Sequence, residues 1–204
     1  MKTLHIGFLA SHGGSNMQAI IDACKEGRLH GEPVVVISNN SDSGAMERAR
    51  REGIPAVHIS NATNPDPSAL DDAILRTLEE RGVDIVVLAG YMKLLGPKTL
   101  ARYRGRVLNI HPALLPRFGG KGLYGMKVHE AVLAAGEKVS GVTVHLVDER
   151  YDHGPTLAQR QVPVMEGDTA ESLAARVLEQ EHKLYPETLE KIANGEIDLD
   201  HLSM

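Results

Sequence analysis

The chain has 204 residues, a formal net charge of −5, 42% hydrophobic and 24% charged residues. This is the size and balance of one soluble globular domain spanning 1–204, and no apolar run approaches a membrane span. No basic cluster stands out, so nucleic acid is not the expected partner, and the single cysteine, Cys24, fits a reducing, cytoplasmic compartment without a disulfide.

The opening "MKTLHIGFLASHGG" runs straight into a turn and reads as a first strand over 4–10, not a signal peptide. A helix over 15–25 follows, then "PVVVISN" (33–39) as a second strand and "MERARREG" as a helix stopped by Gly53. "AVHIS" (56–60) is a short third strand. Leu70, Ile74 and Leu78 recur every four residues and predict an amphipathic helix from Ser68 to Gly82. "DIVVLAG" (84–90) and "RVLNI" (106–110) are further strands around a short helix over 97–103. Continuous apolar strands alternating with helices indicate a parallel sheet covered on both faces.

The pattern changes after residue 120. "GMKVHEAVLAAGE" reads as a helix, whereas "GVTVHLVDE" alternates, with Val142, Val144 and Leu146 on one face and Thr143, His145 and Val147 on the other. It predicts a half-exposed strand antiparallel to "TLAQRQVPV" (156–164), before a long helix over 169–193 that Pro186 could bend. The fold class is therefore α/β: an open, mostly parallel, Rossmann-like sheet with helices on both faces and an antiparallel addition near the C-terminal end.

Three segments carry candidate chemistry. "SHGGSNMQAI" lies at the first strand-to-helix turn, where doubly wound folds place a phosphate. It lacks the dinucleotide and Walker spacings, and Ser15 with Gln18 also spells an S-x-x-Q capping box, so an anion site and a plain cap both stand on the turn alone. "VLNIHPALLPRF" ends a strand with Asn109 and His111 two residues apart, hence on one side, before two prolines. An amide can donate to a developing oxyanion and an imidazole can exchange a proton near neutral pH; a purely structural histidine is the competing reading. "VDERYDHGP" offers Asp148, Glu149, Asp152 and His153. A carboxylate beside His111 would favour its imidazolium, whereas spacing shows only that a carboxylate is available. "VHEAVL" lacks the second histidine of a metalloprotease helix, so no metal site is expected; "GGKGLYG" (119–125) reads as a flexible loop and Cys24 as inert packing.

"GGSNMQAIIDAC", "VVLAGYMKLL", "LNIHPALLP", "VTVHLVDERYDHGP" and "RVLEQEHKLYP" occur in this order from Leu4 to about Ala193. Together they resemble the glycinamide ribonucleotide transformylases, a branch of the folate-dependent formyltransferases. The resemblance implies formyl transfer from 10-formyltetrahydrofolate, as co-substrate, to the amine of glycinamide ribonucleotide in purine biosynthesis, by a monomer or homodimer. It implies catalytic roles for Asn109, His111 and Asp152, and nucleotide contacts from Gly14, Ser15, Asn16 and Glu181. Met92, Lys93, Leu94 and Leu95, with Asn109, would face the folate, and the backbone of 147–152 would close on its pterin. The family's folate-contacting arginine ahead of the helix at 69–81 has no counterpart in "NPDPSALDD", which leaves Lys93 as a candidate for the glutamate tail. The competing readings are a formyltetrahydrofolate hydrolase and a non-catalytic nucleotide-binding module on the same fold.

Overall fold

The computed structural model describes residues 1–202 and 204. Seven strands form one sheet: β1 (Leu4–Ala10), β2 (Gly31–Ser38), β3 (Ala56–His58), β4 (Ile85–Leu88), β5 (Val107–His111), β6 (Val139–Leu146) and β7 (Thr156–Pro163). The helices are α1 (Ser15–Lys25), α2 (Gly44–Arg51), α3 (Pro67–Glu80), α4 (Pro97–Arg102), α5 (Met126–Ala134) and α6 (Ala170–Ala193), followed by a 3-10 turn, Leu199–His201. The strand order is β3-β2-β1-β4-β5-β6-β7. The first five strands are parallel to their neighbours, while β5 meets β6, and β6 meets β7, antiparallel.

Alternation along the strands explains the layering. Ile6, Phe8, Ile85 and Val87 face a core built with α1, α5 and α6, whereas Leu9, Val86 and Leu88 face one built with α3. Both faces of the central strands are thus buried, as their continuous apolar runs require. Gly7 is set by the second face, since a Cβ there would approach Leu78 Cδ2 and Val83 Cγ2 to 2.9 Å.

The strand expected to be half-exposed is not. Every residue from Ser140 to Leu146 is buried. The segment leaving β5 crosses its polar-looking face: Thr143 Oγ1 donates to Ala113 O (2.7 Å) and accepts from Leu115 N (3.1 Å). Alternation correctly separates the two faces, but the cover comes from a loop whose path the pattern does not encode. Nor does the S-x-x-Q capping box form. Gly14 caps α1 in a left-handed conformation with no side-chain bond, and Gln18 turns instead to Asp22 and Glu52.

Two buried polar groups pin the outer elements. Tyr185 of α6 is fully buried, its hydroxyl 2.8 Å from Leu88 O and 3.1 Å from Leu108 O, so one side chain reaches the last residue of β4 and the second of β5. Burial holds that phenol well above its ordinary pKa and hence neutral, able to donate. Asp71, 3% exposed, accepts from Lys98 N (2.8 Å), Thr99 N (3.1 Å) and Thr99 Oγ1 (2.6 Å), closing the first turn of α4 from α3. Asp71→Ala strands those donors and is expected to cost about 2 kcal/mol or more. Urea unfolding checks this: the midpoint falls with little change in slope, and Asp71→Asn, which retains an acceptor, loses less.

Candidate active site

The topology opens a crevice at the carboxyl ends of β1 and β4, where the chain turns from one half of the sheet to the other. The loops after these strands are tied together: Ser11 N donates to Gly90 O (3.1 Å) and Met92 N to Ser11 Oγ (2.8 Å). The opposite, amino-terminal edge holds a cavity of about 370 Å³ beside Lys2, Asp84, Arg106 and Asp200. Its charges are already matched by the Lys2–Asp84 and Arg106–Asp200 pairs, so the polar groups suited to chemistry lie at the other end.

The glycine turn is gripped by α2. Ala45 N donates to His12 O (2.9 Å) and Arg48 Nε to Gly13 O (2.8 Å), while a Cβ on Gly14 would meet that of Ala45 at 2.9 Å. Gly14 is therefore required twice over, by its φ of 74° and by the closeness of α2. Helix α6 supplies the facing wall. Asn16 Nδ2 donates to Glu181 Oε1 (3.0 Å), and His182 Nε2 lies 3.1 Å from Ser15 Oγ. Burial raises the Glu181 carboxyl above its usual range, partly offset by the Asn16 amide; burial, then the Arg48 charge, lowers His182. Asn16 Oδ1 is buried with no partner. An uncapped helix start, a guanidinium and an unsatisfied amide oxygen converge at this turn, which suits an anion with hydroxyl groups beside it.

Asn109 and His111 stand on one face of β5, in register with His145 and Thr143 of β6. His111 Nδ1 is 3.4 Å from Asp152 Oδ1, and its Nε2 donates to Phe118 O (2.7 Å). Acceptors face both ring nitrogens. Asp152 arrives from the bend between β6 and β7, and its Oδ2 accepts from Gly120 N (3.0 Å). Among the described residues the only non-glycine residues at positive φ are Phe118 (56°) and Asp152 (55°), one on each side of the imidazole. Backbone in that region is costly, and its position marks where the fold holds a functional geometry. Gly119 lets the two loops touch, a Cβ there crowding Leu115 and Asp152; a Cβ on Gly154 would overlap the Leu146 carbonyl oxygen.

The remaining sequence candidates divide. Met92, Lys93 and Leu94 are exposed after β4, whereas Leu95 is buried among the α3-side residues. Asp148 pairs with His153 at the bend's outer edge, 2.5 Å apart, and stays clear of His111. Further groups at the site escape the sequence reading. His145 is buried beside Asn109, and His129 of α5 is buried with Nδ1 unpartnered, lowered by its burial and then by the charge of His111. Arg48 stands at the glycine turn. Only His145 carries a sequence signal, its place on the same strand face as Thr143. No three His, Cys, Asp or Glu side chains converge as metal ligands among the described residues, and no helix there is long and apolar enough to cross a membrane.

With an uncapped glycine turn and an Asn–His–Asp cluster at the same edge of the sheet, the chain belongs to the formyl transferase family, which residues 4–189 match. The proteins it is similar to include several called phosphoribosylglycinamide formyltransferase or glycinamide ribonucleotide transformylase. That of Escherichia coli (strain K12) is 38% identical over 196 residues, 96% of this chain and 90% of the relative. The chloroplastic protein of Vigna unguiculata is 47% identical over 193 residues, 94% of this chain, but the chain spans only 62% of that relative's length. The crystal structure of glycinamide ribonucleotide transformylase 1 from Symbiobacterium toebii superposes with a TM-score of 0.88 at 45% identity, covering 95% of this chain and 89% of that one.

The bend that delivers Asp152 depends on Gly154. Gly154→Ala is expected to push β6 and the bend apart and destabilise by about 1–3 kcal/mol. Thermal unfolding checks it: a midpoint equal to wild type would show that the overlap with Leu146 O is relieved at no cost.

Proposed function

We propose that the chain transfers the formyl group of 10-formyltetrahydrofolate to the amine of glycinamide ribonucleotide in purine biosynthesis. The observation that carries this reading is the contact of Asp152 with His111, with Asn109 on the same face of β5, at the edge of the sheet that also carries the Gly14–Asn16 turn. The turn, with Glu181, would hold the nucleotide's phosphate and ribose. The segment 92–95, Asn109 and the backbone of 147–152 would hold the folate, with Lys93 near its acidic tail.

Attack by the amine turns the formyl oxygen into an oxyanion. The Asn109 amide and the His111 imidazolium would donate to it, through the Nε2–H that Phe118 O accepts in this structure. Asp152, at 3.4 Å from the ring, would balance the imidazolium and orient it. The amine's proton would leave through the same polar cluster to the folate nitrogen as the C–N bond to the formyl carbon breaks. No metal is needed for these steps.

His111→Ala and Asp152→Asn are each expected to lower turnover on the order of a hundredfold or more. Calorimetric titration with glycinamide ribonucleotide should give the wild-type affinity for both. Near wild-type turnover in either variant would defeat the assignment. Following absorbance of the folate product with the nucleotide present or omitted separates the alternatives: turnover without the nucleotide marks a hydrolase, and none under either condition a binding module.

A further inference from the structure

His145 lies beside the proposed catalytic residues with 1% of its surface exposed, directly across from Asn109 in the β5–β6 register. Its Nδ1 sits 2.9 Å from Leu146 O, and its Nε2 sits 3.3 Å from Asn109 Nδ2. A carbonyl oxygen only accepts, so Nδ1 carries a proton. Burial, only partly offset by the Leu146 bond and the charge of Asp152, pushes the ring's pKa below its ordinary value and keeps it neutral. A neutral imidazole with its proton on Nδ1 has a lone pair at Nε2 and can only accept there. Asp152 Oδ1, at 3.7 Å, is beyond hydrogen-bond reach of that nitrogen.

The consequence falls on Asn109. A terminal amide turns over between two orientations at similar intrinsic energy, and these present opposite chemistry: N–H donors or a carbonyl oxygen. With an acceptor fixed at His145 Nε2, the NH₂ group must point that way, and one N–H remains free for the site. Reversed, the amide would set its own oxygen against a developing oxyanion. We propose that His145 is a positioning residue, its Leu146-fixed tautomer locking the Asn109 amide with N–H towards the reacting oxygen.

This rests on the reading of Asn109 as the oxyanion donor, and two amide substitutions at 145 test the added claim separately. His145→Asn places an amide donor near the Leu146 carbonyl but reaches no acceptor to Asn109. His145→Gln places its carbonyl oxygen near the lost Nε2. Turnover is expected to fall about tenfold or more in His145→Asn and to be largely rescued in His145→Gln, with KM and nucleotide affinity little changed in both. In an Asn109→Ala background, His145→Asn should cost nothing further. Equal losses in the two variants, or the same fold-loss with and without Asn109, would overturn the positioning role. Asn109→Ala at wild-type turnover would instead overturn the underlying reading of the site. Should the variants fold poorly, ¹⁵N NMR of the histidine rings in the wild-type protein decides: His145 protonated on Nδ1 and neutral at pH 7 is expected, whereas a proton on Nε2 would refute the lock.

Discussion

The contact between Asp152 and His111 is the constraint around which the carboxyl-terminal half of the sheet is arranged. A parallel strand, β5, delivers the imidazole; an antiparallel return, β6, carries the chain back alongside it; and the bend before β7 then turns the carboxylate onto the ring at 3.4 Å. Two glycines permit the approach, Gly119 against Asp152 and Gly154 against Leu146 O. Phe118 and Asp152 sit in left-handed conformations that cost about 1–3 kcal/mol each for ordinary side chains. The buried central sheet and the Tyr185 tie across β4 and β5 supply the rigidity that sustains such a geometry.

The two halves of the crevice use different physics. At the glycine turn the groups on offer are backbone: an uncapped helix start held by α2, with α6 closing over it through Asn16–Glu181 and Ser15–His182. At the β5 end they are side chains whose donor and acceptor roles are fixed by burial and by neighbouring carbonyls. A substrate reaching from one to the other would be held by its anionic end and react at its neutral one. The fold alone would not dictate such chemistry; the polar cluster set on it would.

Much of this is legible in the sequence. Residues 34–37 of β2 and 85–88 of β4 are apolar without interruption, so a parallel sheet buried on both sides follows from them directly. The Asn109–His111 spacing places both side chains on one face, as the structure shows, because a strand alternates strictly. Relations between distant segments are what the sequence withholds. Alternation in β6 distinguishes its faces but not the cover that the 113–115 loop gives one of them. The Ser15–Gln18 pair spells a cap, yet Gln18 finds Glu52 and Asp22 and leaves the turn open. Arg48, on the next helix, bears no mark in its local sequence of the turn it grips.

The central claim is that Asp152 acts through His111 rather than beside it. A double-mutant cycle on kcat/KM measures this most directly. Asp152→Asn should lower kcat/KM strongly in the wild-type enzyme and leave it unchanged once His111 is alanine. If the two losses simply multiply, the carboxylate works independently of the imidazole, and the pair is not the coupled unit that its geometry implies.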